Sequence, residues 1–195
     1  MPILGIVASG RQPALNASSY ASIATVTVGS GGTATVSFTS IPATYTHLQI
    51  RLIGRTNRSA ANSDQINVRF NSDSGANYST NHYLEGNGSS AGAGTAGTSG
   101  NQMVVYRLTA DGAPSLANAF GAYIIDILDY SNTNKYKTLR SLGGQNQNTT
   151  SNGALFYVSA AWMSTSAVTS ITITPNVGPL FNQYSQFALY GIKGA

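Results

Sequence analysis

Six acids and two histidines are all this chain holds for proton transfer or metal binding: Asp64, Asp73, Glu85, Asp111, Asp126, Asp129, His47 and His82. A glycoside hydrolase needs two carboxylates flanking a sugar. Asp126 and Asp129 are the nearest pair of that kind. Three residues apart on a strand, they point to opposite faces and cannot share a substrate. Asp129 opens the turn "DYSNTN" and is read as its cap. Asp126 stands inside an apolar run, where an arginine across the sheet or at a subunit contact is the partner to expect. Neither histidine has a carboxylate at ligand spacing, so no histidine-based metal site is predicted. "NSDSGANYS" lines up the oxygen donors Asn71, Asp73 and Asn77 in the manner of a calcium loop. It lacks the closing acid of an EF-hand and reads as a hairpin turn. No phosphate-binding P-loop is present. The expectation is a protein that is not an enzyme and has no cofactor.

Eleven tyrosines are the other chemical resource. Tyr45, Tyr78, Tyr83, Tyr106, Tyr130, Tyr136 and Tyr157 fall at strand ends or beside turns. A tyrosine there buries its ring and keeps its hydroxyl wet, which serves edge packing, protein interfaces and sugar platforms alike. Trp162 is read as core.

The elements that must position these groups are strands. "SIATVTVG" and "TATVSFTS" alternate on either side of "GSGG" and predict a hairpin, with Ala24, Val26 and Val28 on one face of the first run and Ala34, Val36 and Phe38 facing inward on the second. "HLQIRLIGR" turns Leu48, Ile50 and Leu52 one way, and "INVRFN" does the same with Ile66, Val68 and Phe70. "FGAYIIDILDY" is apolar on both faces and predicts a strand in the middle of a sheet covered on both sides. Residues 86–101, "GNGSSAGAGTAGTSGN", carry no core-forming side chain and read as a long exposed loop. No sustained 3.6-residue period occurs; "APSLANA" allows one helical turn at most. About ten short strands joined by Gly, Asn and Ser turns predict an all-β, antiparallel two-sheet β-sandwich, jelly-roll-like, with an extended N-terminal arm.

Composition narrows the partners. Charged residues make up 8% of the 195, against about 25% in an average globular protein. A surface of Ser, Thr, Asn, Gln and Gly repels its neighbours weakly and tolerates dense assemblies. The net charge of +4 rests on ten scattered basic residues, with Arg51, Arg55 and Arg58 the closest group and Lys135 and Lys137 a minor pair. That is no stripe for nucleic acid. There is no cysteine, hence neither disulfide nor thiolate metal site.

The opening "MPILGIVASG" is apolar until Arg11. It has no basic n-region, is broken by Pro2 and Gly5, and is short of the roughly 20 residues a membrane helix needs. A docking arm remains, its contact residues Pro2, Ile3, Leu4, Gly5, Ile6 and Val7. The predicted division is an arm and tether over residues 1–19 and a β-sandwich over 20–195. Burying each large side chain of the arm contributes roughly 1.5–3 kcal/mol before ordering costs.

Four stretches together carry a resemblance: "PILGIVASG", "SIATVTVGSGGTATVSFTSIPATYTHLQIR", "FGAYIIDILDYSNTNKYKTLRSLGG" and "QYSQFALYGIKG". They resemble a group of small virion structural proteins of tailed bacteriophages, in which the "GI-x-AS" opening precedes different bodies as an attachment module. The resemblance implies a virion location after assembly in the host cytoplasm, partners among the capsid or tail proteins, and homo-oligomerisation. A trimer is the preferred state, because decoration proteins often sit at three-fold positions. A capsid decoration (cement) or head-appendage protein is the first expectation. A tail-fibre or baseplate module recognising host surface glycan is the alternative, and a lectin or polysaccharide-active enzyme the third. Neither nucleic acid nor membrane is expected as a partner.

Overall fold

The computed structural model describes residues 19–96, 100–148 and 153–194. The docking-arm residues Pro2, Ile3, Leu4, Gly5, Ile6 and Val7 lie outside them. Among the described residues the chain is all-β, with no helix. Twelve strands form: β1 (Tyr20–Thr27), β2 (Val36–Phe38), β3 (His47–Thr56), β4 (Ser63–Phe70), β5 (Asn81–Gly86), β6 (Ala91–Ala96), β7 (Met103–Ala110), β8 (Gly121–Leu128), β9 (Lys137–Gln145), β10 (Ala154–Trp162), β11 (Ile171–Pro175) and β12 (Gln186–Ile192).

All twelve are hydrogen-bonded into one mixed, unclosed sheet. Its longer limb runs β1-β12-β3-β8-β9-β10-β5-β6, antiparallel throughout. Its shorter limb runs β7-β4-β11-β2. The ten-residue β3 joins the two. Leu48–Gly54 pair with β8, and then Arg55 and Thr56 pair with Thr109 and Ala110 of β7. That last pairing is parallel, so the sheet is not purely antiparallel. β7 lies across the inner side of β8, β9 and β10.

The core fills the space between the limbs. The inward rows predicted from alternation, Leu48, Ile50 and Leu52 on β3 and Ile66, Val68 and Phe70 on β4, are fully buried there with Met103, Ile125, Leu139 and Phe187. Tyr78 and Tyr130 are buried whole, because their hydroxyls find main-chain partners. Tyr78 donates to Asp73 O and accepts from Phe70 N; Tyr130 donates to Pro42 O. Desolvation pushes the Tyr78 hydroxyl up to about 12. Trp162 is core as predicted, packed edge-on to Phe70.

Two local expectations are corrected. The "SIATVTVG" and "TATVSFTS" runs do not form a hairpin: β1 pairs with β12 and β2 with β11. The intervening glycines turn the chain from one limb to the other. Gly31 and Gly32 have φ of +90° and +76°, and a Cβ on Gly32 would stand 2.6 Å from Phe181 O. The stretch 86–101 is not all loop, since Ala91–Ala96 form β6 against β5. Gly and Ala do not favour a strand by themselves; here the ladder to β5 supplies the bonds. "APSLANA" makes turns without a helix, within the limit of one helical turn at most that its sequence sets.

Candidate docking face

β8 is central, as its sequence predicts, yet only one side of it is covered. Tyr123, Ile125 and Ile127 face the core, while Ala122 and Ile124 face solvent. The same holds along the longer limb, and its outward side chains fall into register. One row reads Arg51, Ile124, Leu142, Tyr157, Leu84 and Ala93 across β3, β8, β9, β10, β5 and β6. The row beside it reads Ile53, Ala122, Gly144, Leu155, Gly86 and Ala91. Ile53, Ile124, Leu142, Leu155, Tyr157 and Leu84 are 40–69% exposed. Small residues stand between them, so the surface is broad and low. Monomeric proteins seldom leave a continuous apolar patch of more than a few hundred Å² open to water, and larger ones mark interfaces.

The third row is polar: Gln49, Asp126, Arg140, Ser159, His82 and Thr95. Asp126 takes Arg140 Nε at 3.0 Å and Gln49 Nε2 at 2.8 Å. This is the cross-sheet arginine partner expected for it. Arg51 Nε donates to Gln49 Oε1 at 3.1 Å, and its guanidinium lies 5.5 and 5.4 Å from the rings of Tyr20 and Tyr190. The apolar band is thus bordered on one side by a polar row that holds one ion pair, Asp126–Arg140.

The other candidate groups serve the fold. Asp129 opens its turn at φ +50° but does not cap it: its carboxylate takes Lys135 Nζ at 2.8 Å, its main-chain oxygen accepts from Asn132 N, and the capping side chain is Asn132, whose Oδ1 accepts from Asn134 N. The Lys135 hydrogen bond leads the causes holding the Asp129 carboxyl below the usual range. His47 Nδ1 accepts from Asp129 N at 3.0 Å. His82 is not in a loop but on the outer face of β5. Asp73 binds Trp162 Nε1 at 2.7 Å, Asn77 Nδ2 at 2.9 Å and Gly75 N at 2.8 Å, and these bonds, Trp162 first, depress its carboxyl. Asn71 faces elsewhere, bonding Ala167 O and Thr169 N. The three residues of the calcium-like stretch therefore do not converge, and among the described residues no three of His, Cys, Asp and Glu do. Arg51, Arg55 and Arg58 also part company. Arg58 bonds Ser63 O, while Arg55 lies buried against Asp111 at 2.5 Å.

Sequence reasoning passed over two patterns in the glycine-rich stretch. "GSSAG" at 88–92 and "GAGTAG" at 92–97 match, by spacing alone, a nucleophile elbow and a dinucleotide fingerprint. Residues 91–96 here form the strand β6 in a hairpin with β5, and no described helix follows. The strand-to-helix setting that gives those motifs their chemistry is missing.

A polar cleft of about 500 Å³ lies elsewhere, between the 31–32 turn and the 111–120 and 180–184 segments. Tyr184 is 71% exposed at φ +72° on its wall. Its floor is largely self-satisfied: Arg55 Nη1 donates to Leu116 O and Ala119 O, and Asn182 Nδ2 donates to both Asp111 oxygens. No described helix is long and apolar enough to cross a membrane. Compared with known proteins, the chain matches no family model, no curated protein and no solved structure.

Proposed function

We propose that this is a non-enzymatic structural protein of a bacteriophage virion, a capsid decoration or head-appendage protein that works by docking. The observation that supports this best is the outer face of the longer limb, where six large apolar side chains stand open to water on a flat sheet. A surface of that kind costs solubility unless another protein covers it. The low charge, 8% of residues, suits dense packing beside like copies. The biological setting in this proposal rests on the sequence resemblance of the four stretches alone.

In this reading the two limbs form the layers of a jelly-roll-like sandwich, with the strand exchange in β3 as its corner. The N-terminal segment, Pro2 to Val7, adds a strand or an apolar plug to a capsid protein. Partners are other virion proteins and further copies of this chain, without cofactor, nucleic acid or membrane. Assembly takes place in the host cytoplasm.

The second reading is a tail-fibre or baseplate module that binds host surface glycan. The exposed Tyr184 beside Asn182 and Asn118 in the polar cleft favours it. Labelling the C-terminus and imaging virions by electron microscopy separates the two. Label over the head is the expected result; label confined to the tail end would move the protein to host recognition.

A further inference from the structure

The longer limb has eight strands, and its midline falls between β8 and β9. A two-fold axis laid along the strands at that midline would set β8 of one copy over β9 of the other, and β3 over β10. The outward residues then meet in pairs of matching character. Ile124 faces Leu142 of the second copy, and Ile53 faces Leu155. In the polar row Asp126 faces Arg140, and by symmetry Arg140 faces Asp126. Arg51 comes over the ring of Tyr157. Given that axis, the cross-strand register within each copy determines these pairings.

We propose that the outer face of the longer limb is an isologous dimer interface, occupied by a second copy of this chain, in place of the trimer expected from the sequence. Self-complementarity of this kind is what a two-fold contact demands. The opposite charges of Asp126 and Arg140, 3.0 Å apart within one chain, would close into a ring of four across the axis. Charges of one sign at both positions would repel there. The size also fits. Six strands at a spacing of ~4.8 Å, over three outward rows, present roughly 600 Å² a side, at the lower end of the ~600–1,000 Å² per partner of a standard stable interface. Two sheets pack in this way with strands nearly aligned. The inference rests on the reading of this face as a docking surface and names its occupant.

The absence of native cysteine makes the geometry directly testable. Two single variants, Ile124→Cys and Leu142→Cys, change exposed positions and should leave the far-ultraviolet circular dichroism unchanged. Mixed and oxidised, they are expected to give several-fold more disulfide-linked dimer than either variant alone. The unmodified full chain should sediment at about 40 kDa, twice its 20.2 kDa mass. A monomer at tens of micromolar, a trimeric mass, or cross-linking no greater in the mixture than in the separate variants would overturn the pairing. Protection of the Leu142→Cys thiol in a monomer only while residues 1–10 are present would also overturn it, and would place the chain's own N-terminal segment on the face. A monomer whose label still decorates heads removes the dimer alone. A dimer absent from virions removes the virion role alone.

Discussion

The acids of this protein are occupied in holding turns and strands, and Asp73 shows how. Its carboxylate joins the 71–78 turn to the core through the Trp162 indole. The bonds favour the charged form and depress the folded value below the ordinary 3.8. A depressed carboxyl stabilises the fold above its unfolded value and loses that contribution as pH falls through the folded one. Asp73→Asn is therefore expected to cost about 1 kcal/mol near neutral pH. The gap to the parent should close as pH drops below 3.8, as followed by urea unfolding at a series of pH values. A gap that stays constant down to pH 2 would mean that the charge contributes nothing. The placement of Asp126 was legible because a lone acid in an apolar strand needs a cation. Which cation was not, since Arg140 is brought beside it only by the β8–β9 register.

Period-two alternation revealed which side chains of an element face inward, but not which element lies beside it. β3 and β4 bury the residues that alternation assigns to the core. The pairing of β1 with β12 joins opposite ends of the described chain, and no local signal encodes it. β6 escaped notice because its Ala and Gly residues contribute little packing, and its strand form comes from the ladder to β5. In β8 an apolar outward face was taken as burial within the monomer. Ile124 is exposed here, and under the proposed docking role the pattern serves cover from outside the chain. The N-terminal segment has the same apolar character. Deleting residues 1–10 is expected to leave the unfolding midpoint of the β-domain unchanged while abolishing attachment to particles in a co-sedimentation assay. Attachment at parental level by the deletion variant would remove the docking role of Pro2–Val7.

As a whole the molecule has a covered side and an open one. The shorter limb and the core cover the inner side of the longer limb, and the outer side is left as an apolar band beside a polar row with one ion pair, Asp126–Arg140. Monomer stability does not require that band. Replacing part of it should therefore separate folding from assembly. The double variant Ile124→Gln, Leu142→Gln puts two uncharged amides, which do not repel each other across the β8–β9 register, at positions 42% and 57% exposed. Its unfolding midpoint is expected to stay close to the parent's, since exposed substitutions usually change stability by less than about 0.5 kcal/mol. Purified particles assembled with it should carry at least tenfold fewer copies, measured by quantitative mass spectrometry of the virions. A folded double variant incorporated at the parental copy number would contradict the account, because the face would then be dispensable for assembly.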